Sequence, residues 1–158
     1  MNEVVLSIGA ATDVGKERSV NEDDYGFVHT HLGDVLIVCD GMGGHAAGDV
    51  ASRTAREALI RQFVTSSETN PRAMLYDAIH AAHEAVLVEA KRDVERSGMG
   101  TTCVVAVIQD EKVLIGNVGD SRAYIRRVDG RLEQVSKDQT KGQELVDADL
   151  IQPQELQG

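Results

Sequence analysis

The apolar period of the chain changes from that of strands to that of a helix at Asp40-Gly41-Met42-Gly43-Gly44, and that change limits the folds open to it. Upstream, Tyr25 to His31 and Val35 to Cys39 are short apolar runs joined by a turn at Leu32-Gly33-Asp34, and they read as strands. An earlier run, Val4 to Ala11, reads as another. Downstream, Val50, Ala51, Thr54, Ala55, Ala58, Leu59 and Phe63 recur at intervals of three and four, the spacing of an amphipathic helix. Asn70-Pro71 then sets an N-cap residue before a proline at the first helical position, and the spacing predicts a helix from there to about Arg96, stopped by Ser97-Gly98.

Strands resume at Thr102 to Gln109, Val113 to Val118 and Ala123 to Val128, with a short one near Leu132 to Val135. Asp129-Gly130 is a hairpin signal between the last two. A weaker helix is expected over about Thr140 to Leu150. Parallel neighbours need a crossover between successive strands, and the second half has none. The expected class is α+β, with antiparallel sheets flanked by helices.

At 158 residues the chain reads as one domain, residues 1–158. Aromatic residues make up only 3%, with no Trp, so a core must rest on Val, Ile, Leu and Ala. Lys and Arg number 16 against 26 Asp and Glu, a net charge of −10 spread along the chain. Phosphate backbones and anionic membranes both select clustered basic residues, so neither is an expected partner. No apolar run approaches the ~20 residues of a membrane span. The start, Met1-Asn2-Glu3, lacks the features of a signal peptide. Cys39 and Cys103 lie within predicted strands and read as buried thiols in a reducing compartment, which gives a cytoplasmic expectation.

The candidate chemistry lies in the loops. Asp40 ends an apolar strand, and Glu22-Asp23 end the preceding loop, so a sheet can gather the three carboxylates. Hard oxygen donors suit Mg²⁺ or Mn²⁺ rather than Zn²⁺. Carboxylates so grouped repel one another without a cation or a basic neighbour, and Arg18 is a candidate for that neighbour or for gripping a phosphate. Taken singly, each of these residues also fits an ordinary turn. A second Gly-Asp follows a strand at Gly119-Asp120, succeeded by Ser121-Arg122. His80 and His83 read as a solvated helix face, and His29 and His31 as strand histidines without an acidic partner.

Four motifs in order, Arg18-x-x-x-Glu22-Asp23, Asp40-Gly41-Met42-Gly43-Gly44-His45, Gly100-Thr101-Thr102 and Gly119-Asp120-Ser121-Arg122, resemble the metal-dependent serine/threonine protein phosphatases. This is the type 2C or PPM class in its bacterial form, and the likeness runs from about Ser7 to about Leu150. It implies an α-β-β-α sandwich and hydrolysis of phosphoserine and phosphothreonine in proteins by a metal-activated water at a two- or three-metal site, with Mn²⁺ or Mg²⁺ as cofactor. By position, Asp40 would bridge two ions and the Gly41 carbonyl would bind one of them. Glu22 and Asp23 would hold outer-shell water, Asp120 would bind a third ion, and Arg18 would grip the substrate phosphate. His45 stands close to a histidine the family uses as a general acid, with a satisfied loop histidine as the plainer reading. Thr101 and Thr102 have no direct chemical role under the resemblance, and Ser121 and Arg122 are expected to stabilise the turn after Asp120.

The family pattern continues with a further Ser-Asp-Gly strand end and a final Asp-Asn pair, and neither occurs here after Asp149. Asp138-Gln139 stands where the family more often has Asp-His. The expectation is therefore a C-terminally incomplete domain holding part of the metal cage. The alternative to an enzyme is a catalytically impaired module that binds phosphoproteins or a kinase.

Overall fold

The computed structural model describes residues 6–43, 47–140 and 147–148. Strand β1 (Asp23–Thr30) turns into β2 (Gly33–Met42), and the two pair antiparallel from Asp23↔Asp40 to Thr30↔Gly33. Helices α1 (Ala47–Thr65) and α2 (Pro71–Ala90) follow. The chain returns to the sheet as β3 (Gly100–Thr101), β4 (Cys103–Gln109) and β5 (Lys112–Val118). The sheet order is β1-β2-β4-β5, with the short β3 paired to the end of β2. A separate hairpin of β6 (Tyr124–Arg126) and β7 (Leu132–Gln134) completes the described strands, and every pairing is antiparallel. The fold is α+β, as the alternation of periods implies.

The side-chain period of a strand is two, and β2 shows what that period does here. Val35, Ile37 and Cys39 are buried against the helices, whereas Val38 and Asp40 on the other face are exposed. Leu59 and Phe63 of α1 and Met74 and Leu75 of α2 complete the core. Ala51, Ala55, Ala58, Ala78 and Ala82 are also buried, and such small side chains let the helices approach each other and the sheet closely. A chain with few aromatic residues fills its interior in this way. On the opposite sheet face, Tyr25, Phe27, Val38 and Val113 are exposed among the described residues.

Helix α2 begins as its sequence signals demand: Asn70 Oδ1 accepts from the amides of Arg72 and Ala73, at 3.0 and 3.3 Å. It ends earlier than the expected Arg96. The helix stops at Ala90, and a separate 3₁₀ turn spans Val94–Arg96. The Asp93 carboxylate caps that turn by accepting from the Glu95 amide at 3.0 Å, a local bond that competes with helix continuation.

The strand expected over Val4 to Ala11 is not found. Residues 6–11 belong to no strand, because no described segment pairs with them, and residues 4 and 5 lie outside the described residues. The helix expected over Thr140 to Leu150 also falls mostly outside them. His29 does have an acidic partner, contrary to expectation. It stands opposite Asp34 across the β1–β2 hairpin, with Nδ1 2.8 Å from Asp34 Oδ1, a contact set by register and invisible to local sequence. Among the described residues, no helix is long and apolar enough to cross a membrane.

Phe63 is fully buried and Tyr76 is 72% exposed. Replacing Phe63 by Ala is expected to lower unfolding stability by about 3–5 kcal/mol. Tyr76→Ala should stay within about 0.5 kcal/mol of the parent. Urea unfolding midpoints of the two variants measure the difference.

Candidate metal centre

The end of the β1–β2 ladder brings the acidic residues together. Asp23 and Asp40 are directly opposite in register, so both side chains leave the sheet on the face away from the helices. Partial burial pushes the Asp40 carboxyl above its ordinary pKa, and the neighbouring Asp23 and the charge of Asp120 push the same way, while Arg18 opposes them. Like charges held together at a strand end favour a bound cation over solvent.

Glu22 is one residue earlier and so lies across the strand from Asp23. Its carboxylate sits against Gly48 at the start of α1, where a Cβ would come within 2.4 Å of Glu22 Oε1. Its Oε2 accepts from Arg18 Nη1 at 2.8 Å, and the Arg18 side chain remains 64% exposed. Its backbone carbonyl accepts from the Gly41 amide at 3.0 Å. Gly41 is locked between these elements: a Cβ there would meet the Gly48 carbonyl oxygen at 2.0 Å, so no larger residue fits. A cleft of about 220 Å³ is lined by Arg18, Glu22, Asp23 and Asp40, together with Asp13.

Asp13 is a residue that sequence reasoning missed. It lies in the loop before β1, lines the same cleft, and accepts from the Gly15 amide at 2.8 Å. No motif spacing marks it, because only the return of that loop over the strand end brings it there. His45 lies outside the described residues, as does Gly44.

Asp120 is exposed in the bend after β5 and is close enough to raise the Asp40 pKa. Its loop is fastened from several sides. Gly119 donates its amide to Gln139 Oε1 at 3.1 Å, and its carbonyl accepts from the Gln139 amide at 2.9 Å. Arg122 holds Asp138 through both carboxylate oxygens, with Nη2–Oδ2 at 2.6 Å. That bidentate pair keeps Asp138 below the ordinary carboxylate range. Asp138-Gln139 thus serves as a clasp on the second acidic loop.

Thr101 and Thr102, expected to have no direct chemical role, hold the backbone of Asp40. Thr102 Oγ1 accepts from the Asp40 amide at 3.0 Å, and the Thr102 amide donates to the Asp40 carbonyl at 2.8 Å. Thr101 Oγ1 donates to the same carbonyl at 3.1 Å. Thr102 Oγ1 also meets Ser121 Oγ at 2.6 Å, so one hydroxyl links the Asp40 strand end to the Asp120 loop. The clue in the sequence is two adjacent hydroxyl residues just before a core strand, but their partners are about sixty residues away.

Among the described residues, no group of three or more His, Cys, Asp or Glu side chains is arranged to hold a metal ion. The donors that are present, the Asp40 and Asp23 carboxylates and the Gly41 carbonyl, are hard oxygens of the kind Mg²⁺ and Mn²⁺ take. They fit such an ion in type, as part of a ligand set. Removing the Thr102 hydroxyl should leave the Asp40 amide without its acceptor. Thr102→Val is expected to destabilise the fold by about 1–3 kcal/mol, and Thr102→Ser to recover most of the loss, as thermal or urea unfolding would read.

Comparison with known proteins agrees with this architecture. The family model for protein phosphatase 2C matches residues 14–146. The serine/threonine protein phosphatase PstP of Mycobacterium tuberculosis is 36% identical over 152 residues, covering 96% of this chain and 29% of that protein. The crystal structure of the serine/threonine phosphatase Stp1 from Staphylococcus aureus superposes with a TM-score of 0.81 at 36% identity, covering 92% of this chain and 58% of the other. A structure of the PstP catalytic domain in complex with two manganese ions superposes at 0.74, with 60% of its length covered. The chain therefore spans 29% of one relative and about three fifths of the solved phosphatase structures it resembles. It belongs to the protein phosphatase 2C family.

Proposed function

We propose that residues 1–158 form part of one protein serine/threonine phosphatase domain acting on phosphoserine and phosphothreonine in protein substrates. The observation that carries the reading is the register opposition of Asp23 and Asp40 in a polar cleft that also holds Arg18. Asp40 and the Gly41 carbonyl would hold divalent cations, Mn²⁺ or Mg²⁺, with Asp120 as a further ligand and Glu22 and Asp23 holding water around them. When bound, such ions supply Lewis-acid activation of water and neutralise charge on the phosphoryl group. The two manganese ions of the PstP domain support this assignment of cofactor.

The chain's own residues prepare the site for that chemistry. Arg18 has an exposed guanidinium already tethered by Glu22, so its fork can turn to a phosphate oxygen while the tether limits its range. Asp23 and Glu22 present acceptor oxygens that can orient a water molecule and take its proton. The hydroxyls of Thr101 and Thr102 hold the Asp40 backbone, and with it the carboxylate, against recoil from its acidic neighbours. His45 is proposed as a general acid for the leaving serine or threonine oxygen. A cytoplasmic setting, with a serine/threonine kinase acting on the same substrates, belongs to the same proposal.

The incomplete ligand set among the described residues favours a second reading, a module that binds phosphoproteins or a kinase with impaired hydrolysis. Phosphopeptide turnover with Mn²⁺ separates the two. The isolated chain is expected to turn over far more slowly than a full-length relative, and Asp40→Asn to remove the Mn²⁺-dependent part. Turnover equal to a full-length relative, lost in Asp40→Asn, would mean that another copy supplies the missing ligands. Phosphopeptide binding without any divalent cation, and no turnover with one, would establish the binding module. Arg18→Ala should weaken phosphopeptide affinity by roughly tenfold to a hundredfold, the loss of one charged hydrogen bond at ~1.5–3 kcal/mol.

A further inference from the structure

Cys39 and Cys103 are both free and buried, and they face each other across the sheet directly behind the candidate centre. The β2–β4 register runs to Val38↔Val104, and the β2–β3 register continues it at Gly41↔Thr101. The same alignment places Cys39 opposite Cys103 and Asp40 opposite Thr102. The Thr102 amide donates to the Asp40 carbonyl, which makes Asp40 and Thr102 the hydrogen-bonded type of pair. Cys39 and Cys103 are then the alternate type, in which Cα atoms lie about 4.5 Å apart and side chains approach most closely. A disulfide accepts Cα separations of roughly 4.4–6.8 Å, so this pair can close with little backbone movement. The register alone therefore makes the two thiols cross-strand neighbours on the helix-facing side of the sheet.

Access differs between them. Cys39 is fully buried, whereas Cys103 is 6% exposed and lines an apolar groove of about 530 Å³ between α2 and the sheet, with Met42, Met99, His83 and Val86. Such a groove leaves the Cys103 sulfur within reach of a small neutral oxidant. We propose that Cys39 and Cys103 are an oxidation site, which a hydroperoxide converts to a reversible cross-strand disulfide behind Asp40. The Cys103 sulfur attacks the O–O bond of hydrogen peroxide, which gives the sulfenic acid and one water. The Cys39 sulfur then attacks the Cys103 sulfur, forming the S–S bond and expelling the hydroxyl, which leaves as a second water with the Cys39 proton. Two thiols are oxidised and one peroxide is reduced to two waters. The bond sits at the short end of the accepted Cα range, and strained disulfides are the more easily reduced ones, so thiol reductants should reopen it. It would tie together the residues next to Asp40 and Thr102, on the opposite face of the sheet.

The test uses the full chain, reduced, desalted and exposed to hydrogen peroxide, then alkylated in denaturant and mapped by peptide mass. The expected product is one intrachain Cys39–Cys103 peptide pair lighter by two hydrogens, restored to two alkylated thiols by dithiothreitol. Dimedone added during oxidation should label Cys103 before Cys39, and Cys39→Ser should accumulate the dimedone adduct at Cys103. Both measurements on the unmutated chain stand even if a variant fails to fold. The proposal is overturned if both thiols remain alkylatable after Met42 has become the sulfoxide. It is equally overturned if each cysteine goes separately to sulfinic acid, or if disulfides form only between chains.

Discussion

The continuous register of β2 is the constraint on which the rest of the structure depends. β2 pairs with β1 along one side, and with β4 and then β3 along the other. A slip of one residue would turn every side chain to the opposite face, sending Ile37 and Cys39 to the exposed side and Asp40 into the helices. Burial of Val35, Ile37 and Cys39 against α1 and α2 forbids that slip. The same core therefore decides both that a sheet forms and that Asp40 and Asp23 leave it together on the far side.

Hydrogen bonds that cross large stretches of chain hold the strand ends once register has placed them. Gly41 is clamped by the Glu22 carbonyl on one side and the start of α1 on the other. The Asp40 backbone is held by Thr101 and Thr102, and Thr102 reaches Ser121. Beyond Ser121, the Arg122–Asp138 pair and the Gln139–Gly119 bonds fasten the second acidic loop. The result is a continuous polar path from the first acidic loop to the second. A site of mutually repelling carboxylates needs such support, since nothing in the carboxylates themselves favours their grouping.

Much of this was legible in the residues. The change from a two-residue to a 3.6-residue period located α1, Asn70-Pro71 located the start of α2, and Asp129-Gly130 located the β6–β7 hairpin. Those signals are local, and local signals survive folding because they act through the nearest turn of backbone. The readings that failed depended on partners. Residues 6–11 follow an apolar start but have no described strand beside them, and His29 finds Asp34 only through the hairpin register. The end of α2 differs for another reason, a local one: the Asp93 side chain caps a new turn and so competes with continuation of the helix.

By itself, the sequence determined the class of fold, the family, and the residue types available for chemistry: oxygen donors at Asp40, Asp23, Glu22 and Asp120, with one arginine beside them. Tertiary structure alone decided which of these share a face. It set Asp23 opposite Asp40, turned Glu22 toward α1 and Arg18, brought Asp13 into the cleft, and aligned the two cysteines on adjacent strands behind it. The reason is physical: strand alternation can be read along one chain, but cross-strand register is fixed by burial of a whole sheet face against helices distant in sequence.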